Sequence, residues 1–152
     1  MRFLERRIPP VAVTLLFAGV MAALSVAVPA TVSIPGRSVL AMVLAAVGLG
    51  IALAGVRDFR RHQTTTNPMT PEHASALVVT GIYRYSRNPM YLGFLLVLAG
   101  WGVYLAHGVA LLLLPLYVWY LTRFQILPKE RALERRFGQA FRNYTRSVRR
   151  WV

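Results

Sequence analysis

Four long stretches of almost uninterrupted apolar residues set the plan of this chain, at about 8–30, 38–56, 89–106 and 108–127. Each approaches or exceeds the roughly 17–25 residues that cross a hydrocarbon core as a helix. The third is the shortest, and only His107-Gly108 separates it from the fourth, which predicts a helical hairpin. From Lys129 the pattern changes. Leu133, Phe137, Phe141, Tyr144 and Val148 recur at three- and four-residue spacing with arginines on the other faces, which predicts an amphipathic helix over about 129–148 lying along the membrane interface. The polar segment 57–88 reads as a loop. Asn67-Pro68 and Thr70-Pro71 are turn formers, and the threonine run has no apolar period. Within it, the apolar run Ala76-Leu77-Val78-Val79 is too short to span and is expected to lie against the membrane face or the protein. The expectation is an all-α integral membrane bundle of four transmembrane helices in one domain, 1–152, with a cytoplasmic loop and a C-terminal amphipathic helix.

Charge gives the bundle a direction. The net charge is +13 and 56% of residues are hydrophobic. Of 18 basic residues, three precede the first apolar run, one (Arg37) follows it, five lie in the loop 57–88, and nine lie at the end of the fourth run and beyond. Seventeen of the 18 therefore fall on one side, which predicts cytoplasmic termini and a cytoplasmic 57–88 loop, in a bacterial inner membrane. Basic residues divided among segments that flank membrane spans do not make a nucleic-acid surface. The first run, although preceded by Arg2, Arg6 and Arg7, is too long for the usual 7–15 residue core of a signal peptide and reads as a retained helix. Gly48, Gly50 and Gly55 of the second run suit close helix packing in lipid. Asp58, among Arg57, Arg60 and Arg61, reads as a local ion-pair partner.

The chain has no cysteine, and His62, His73 and His107 share no metal-ligand spacing, so no metal site is expected. There is no Gly-rich phosphate loop, serine elbow or dinucleotide fingerprint. Chemistry-bearing residues gather instead in two places. One is Thr80 to Gly93, reading TGIYRYSRNPMYLG, directly before the third apolar run; the other is Ile126 to Tyr144, reading ILPKERALERRFGQAFRNY. The first resembles the signature of the isoprenylcysteine carboxyl methyltransferase and phospholipid methyltransferase superfamily, approximately Gly-Pro-Tyr, a spacer, Arg-His-Pro, then Tyr and Gly. Ile82 stands where proline is usual and Asn88 where eukaryotic members carry histidine. The second resembles the family's C-terminal signature of paired acids, Leu, Phe-Gly and aromatics, with Lys129 and Glu130 at the acid positions and only the second acid kept.

The resemblance implies an integral membrane enzyme that uses S-adenosylmethionine and a lipidic or hydrophobic methyl acceptor. It implies that Leu77 and Val79 offer backbone groups to adenine, that Gly81 allows close approach, and that Tyr83 and Tyr91 stack or donate. It further implies that Arg87 or Arg84 holds a carboxylate, with Asn88 beside Arg87 in the same motif. Glu130 is expected to accept from an amine or ribose hydroxyls, and with Arg123 to serve the catalytic side, Arg123 facing an anionic acceptor. The chain offers no dedicated general base of obvious quality, which favours an acceptor that is already ionised. The acceptor stays open among a prenylcysteine-type carboxylate, a phospholipid amine and a small hydrophobic thiol or acid, and so does the oligomeric state. A different reading is a non-catalytic membrane subunit or ligand-binding protein that keeps the fold, for which Lys129 in place of an acid speaks.

Overall fold

The computed structural model describes residues 8–61 and 77–152. The threonine run, His62, His73 and the turn formers at 67–71 lie outside the described residues. The helices are α1 (Pro10–Ala27), α2 (Arg37–Arg61), α3 (Pro89–Leu105), α4 (Gly108–Leu111), α5 (Leu113–Leu121), α6 (Leu127–Phe137) and α7 (Gln139–Ser147), with a 3₁₀ turn at Gly81–Arg84 and a π-helical stretch at Thr122–Ile126. Among the described residues there is no strand, only an isolated antiparallel bridge between Thr31 and His107. Among the described residues, three helical runs are long and apolar enough to cross a membrane: Pro10–Ala27, Arg37–Arg61 and the continuous run Gly108–Phe137. The remaining apolar helix, α3, has 17 residues. Leu15, Leu16, Val39, Met42, Leu49 and Leu53 are each more than half exposed, the face such helices turn to lipid.

Prolines punctuate these helices. Pro10 and Pro89 sit in the first turns of α1 and α3, where a missing N–H costs nothing. Pro115 and Pro128 lie inside the last apolar run. A proline there lacks the N–H for the carbonyl four residues back and crowds it. The irregularity comes just upstream each time: a turn at Leu112 between α4 and α5, and the π-helical stretch Thr122–Ile126. The expected hairpin is formed, with Ala106 capping α3 in a left-handed conformation (φ 49°).

Small residues bring α2 and α3 together. The buried positions of α2 are Ala41, Gly48, Ala52 and Gly55. A Cβ on Gly48 would stand 2.6 Å from the Gly93 carbonyl oxygen, and one on Gly100 would stand 2.8 Å from that of Ala41. Backbones this close pack through contacts that larger side chains would prevent. Gly50, expected to share this role, has nothing within 4 Å of its would-be Cβ and faces away.

On the other side of α3, α1 and α5 close the core around Val13, Met21, Leu98, Tyr117 and Leu121. Two polar contacts fix α1. Thr14 Oγ1 and Tyr117 Oη lie 2.7 Å apart, and the Trp101 indole donates to the Ala18 carbonyl at 3.1 Å. His107 is fully buried at the hairpin end. Its Nδ1 accepts from the Ala110 N–H, so its Nε2 donates to the Val28 carbonyl at 2.8 Å, stapling the hairpin to the end of α1.

The segment expected as one amphipathic helix is two. Gly138 adopts φ 52° and ψ −120°, a conformation open to glycine, and divides α6 from α7. The apolar stripe survives the break. Phe141, Tyr144 and Val148 are buried, with Leu133, Phe137 and Leu77 packed on them. Leu77 and the buried Val78 therefore lie against protein.

Candidate functional site

The Thr80 to Gly93 segment is built around a glycine and an acid. Gly81 turns at φ 60°, and a Cβ there would overlap the Asp58 carboxylate. Asp58, near the C-terminal end of α2, accepts from the Ile82 N–H at 2.9 Å and so anchors the 3₁₀ turn. Its carboxylate has a structural task across the fold beyond the local ion pairing expected from the sequence. The turn buries Tyr83, whose ring meets Phe59 edge-on at 5.1 Å between centroids. Burial, followed by the nearby Tyr144 and Asp58, holds the Tyr83 phenol well above the usual phenol range, so it stays a neutral hydroxyl. The Tyr144 hydroxyl donates to the Tyr83 carbonyl at 2.7 Å, tying α7 to the turn.

Next along the chain, the Ser86 hydroxyl accepts from the Asn88 N–H at 3.1 Å at the start of α3. Asn88 then points both ways. Its Nδ2 donates to the Arg150 carbonyl at 3.0 Å, and its Oδ1 accepts from Lys129 Nζ at 3.1 Å. An amide supplies a donor and an acceptor at once, which this bridging position requires.

Glu130 is the centre of the cluster. Its side chain is 14% exposed and its oxygens are shared between two arginines from different elements. Arg87 Nη2 reaches Oε1 at 3.1 Å, while Arg150 Nη2 reaches Oε2 at 2.8 Å, and Arg150 Nε lies 3.2 Å from both oxygens. Lys129 also sits 5.6 Å from the centroid of the Tyr91 ring, within cation–π range. Two arginines thus share one carboxylate, with Lys129 held nearby on Asn88, and Arg87 Nε is buried without a partner. A partly dry site with surplus positive charge and an unused donor favours an incoming anionic group. Beside it opens a cavity of about 290 Å³ lined by Arg87, Glu130, Arg131, Arg142 and Arg150 among others. A second hollow, of about 470 Å³, runs between Val79 and Arg84 on one side and Tyr144 and Val148 on the other.

The two sequence clusters therefore meet. Arg87, Asn88 and Glu130 share one hydrogen-bonded assembly with Tyr91 below Lys129, and Tyr83 and Val79 lie along the adjoining α7 face. Leu77 packs against the stripe of α6 and α7. Arg123 stands apart, exposed on the π-helical stretch. Glu134, one turn beyond Glu130, pairs with Arg142 at 3.4 Å with both side chains about half exposed, the solvated pairing its position suggests. Sequence reasoning did not single out Arg150, Ser86 or the Asn88 partnership of Lys129. Arg150 is one of several arginines after Glu134, and nothing in the local pattern distinguishes it. Among the described residues, no group of three or more His, Cys, Asp or Glu side chains gathers as a metal site would require.

The sequence was compared with known proteins. The sequence profile described as Phospholipid methyltransferase matches residues 37–140. A Haemophilus influenzae protein described only as uncharacterized is 38% identical over 63 residues, 41% of this chain and the whole of that protein. The Schizosaccharomyces pombe Protein-S-isoprenylcysteine O-methyltransferase is 35% identical over 72 residues, 47% of this chain and 30% of the yeast protein. The match thus covers under a third of the yeast enzyme's length. No solved structure matches the chain.

Proposed function

The chain belongs to the phospholipid methyltransferase family, and from that premise we propose that it transfers a methyl group from S-adenosylmethionine to a lipidic or hydrophobic acceptor at the cytoplasmic membrane interface. Membership implies a methyl donor and an integral membrane protein, and the apolar helices fit a membrane. The observation that carries the finer reading is the Arg87–Glu130–Arg150 cluster with its surplus positive charge and unpartnered Arg87 Nε.

The donor's chemistry suits these residues. S-adenosylmethionine presents a carboxylate, an ammonium, ribose hydroxyls and an adenine edge, and supplies an electrophilic methyl on a sulfonium. Arg87 is the carboxylate partner, with a buried donor to spare. Glu130 accepts from the ammonium or ribose hydroxyls, Asn88 holds the Arg87 loop and Lys129 in register, and the Leu77 and Val79 backbone serves adenine. Tyr83 stays neutral and does not compete as an anion. Tyr91 closes the floor under Lys129. Gly81 lets the loop turn over Asp58. Arg123, outside this cluster, orients an anionic acceptor arriving from lipid. Fixing two reactants in line is the main contribution such a site makes. We place α3 as the fourth membrane crossing, antiparallel to α2, with the 57–88 loop and the segment from α6 onward in the cytoplasm.

The reaction is tested by incubating purified protein with methyl-radiolabelled S-adenosylmethionine and lipid extracts and counting the label in the organic phase. Label entering one lipid class supports the proposal and names the acceptor. Cofactor binding without transfer to any extract would leave a non-catalytic family member, and no binding at all would sink the reading. Sidedness is tested separately in this cysteine-free chain. A cysteine at Ser33 is expected to label from outside intact cells, and one at Ser147 only after permeabilisation. Outside labelling at Ser147 would put the cluster on the wrong face for a cytosolic cofactor.

A further inference from the structure

The segment after α7 is fastened to the fold at every residue from Val148 to Trp151, and to the signature loop by two of them. Val148 is buried in the α6–α7 stripe. The Arg149 carbonyl accepts from the Arg87 N–H at 3.1 Å, and the Arg150 carbonyl accepts from Asn88 Nδ2 at 3.0 Å. The Trp151 indole donates to Thr122 Oγ1 at 3.2 Å on the π-helical stretch. Main-chain groups of this segment thus satisfy the same Arg87-Asn88 pair whose side chains reach Glu130 and Lys129. The Arg150 guanidinium, delivered by that backbone, grips both oxygens of Glu130.

We propose that residues 148–151 form a clasp that assembles the cofactor site, and that Arg150 is a positioning residue acting through Glu130. Glu130 lies on α6, and without Arg150 it would keep only the Arg87 contact to one oxygen, at 3.1 Å. A single contact leaves the carboxylate free to rotate, whereas the planar fork of Arg150 fixes both oxygens. A plug would compete with the cofactor for Glu130. A positioning residue pre-orders the acceptor, and the backbone fastening of Arg149 and Arg150 to the signature loop supports the second role. The inference rests on the reading that Glu130 serves S-adenosylmethionine.

The test is calorimetric titration of S-adenosylmethionine against the full chain in detergent, with thermal unfolding followed in parallel. Arg150→Ala is expected to weaken binding about tenfold and Arg150→Lys to recover part of it, the range for a lost charged hydrogen bond. In a Glu130→Gln background, Arg150→Ala is expected to add less than about twofold, because residues acting as one unit are not additive. Unchanged or tighter binding in Arg150→Ala, or a fully additive loss in the Glu130→Gln background, would overturn the proposal. If Glu130→Gln alone leaves affinity untouched, it is the cofactor reading that fails. The clasp is then judged by the maleimide labelling rate of Val148→Cys, which should rise when Arg150→Ala is added. An equal rate would overturn the clasp independently of any cofactor.

Discussion

Glu130→Ala is expected to reduce affinity for S-adenosylmethionine by about 1.5–3 kcal/mol, the range for hydrogen bonds to charged groups, or roughly ten- to a hundredfold and more. Two costs combine in that variant. An acceptor for the cofactor is lost, and Arg87 and Arg150 are left facing each other with Lys129 nearby and no carboxylate among them. Removing one partner from a buried charge cluster leaves the others uncompensated, so the melting temperature should fall as well. Glu134→Ala is the internal comparison. It lies one turn away on the same helix, but its pairing with Arg142 is half exposed and screened by solvent, so its loss should be barely measurable. Calorimetric titration with a parallel melt separates the outcomes. Equal losses for the two variants would mean general damage to α6 and would remove Glu130 from the site.

The other large effect comes from helix packing. Gly93→Ala places a methyl group where the Gly48 carbonyl oxygen stands 2.5 Å and the Ala52 Cβ 2.8 Å away, so α2 and α3 must part. Overpacking of this kind costs about 1–3 kcal/mol. Gly50→Ala, in the middle of α2, meets nothing within 4 Å and removes an unfavourable helix residue, so it should be neutral or mildly stabilising, by up to about 1 kcal/mol. Melting curves of the two variants in the same detergent decide the matter. If they coincide, the α2–α3 seam is not where the backbones meet.

These two cases show how far the residues spoke for themselves. The apolar runs announced the helices and the His107-Gly108 hairpin, because a span needs only length and the absence of charge. They could not say which glycines face a neighbour. Gly48, Gly50 and Gly55 look alike in sequence, and only the rotation of α2 against α3 turns Gly50 outward. The two signature stretches named Arg87, Asn88 and Glu130, and folding brings them together. Arg150 was hidden because its role depends on the return path of the chain after α7, which no local pattern encodes. Asp58 looked like a partner for its arginine neighbours because they adjoin it in sequence, yet it also reaches Ile82 across the fold. The single amphipathic helix became two because period-counting passes over one glycine, while the backbone at φ 52° does not.

The π-helical stretch Thr122–Ile126 has a consequence for how this last helical run is indexed. A π turn inserts one residue into the α-helical count, which advances everything beyond it by roughly 100° about the axis. Upstream, Tyr117 and Leu121 present their faces to the bundle core; downstream, Lys129 and Glu130 must present theirs to the start of α3. A regular helix would lock these two aims together, and correcting one would misdirect the other. The widened turn uncouples them like a vernier between two scales. The half packed in the bundle core can keep its packing while the half that carries the charges is clocked to its own target.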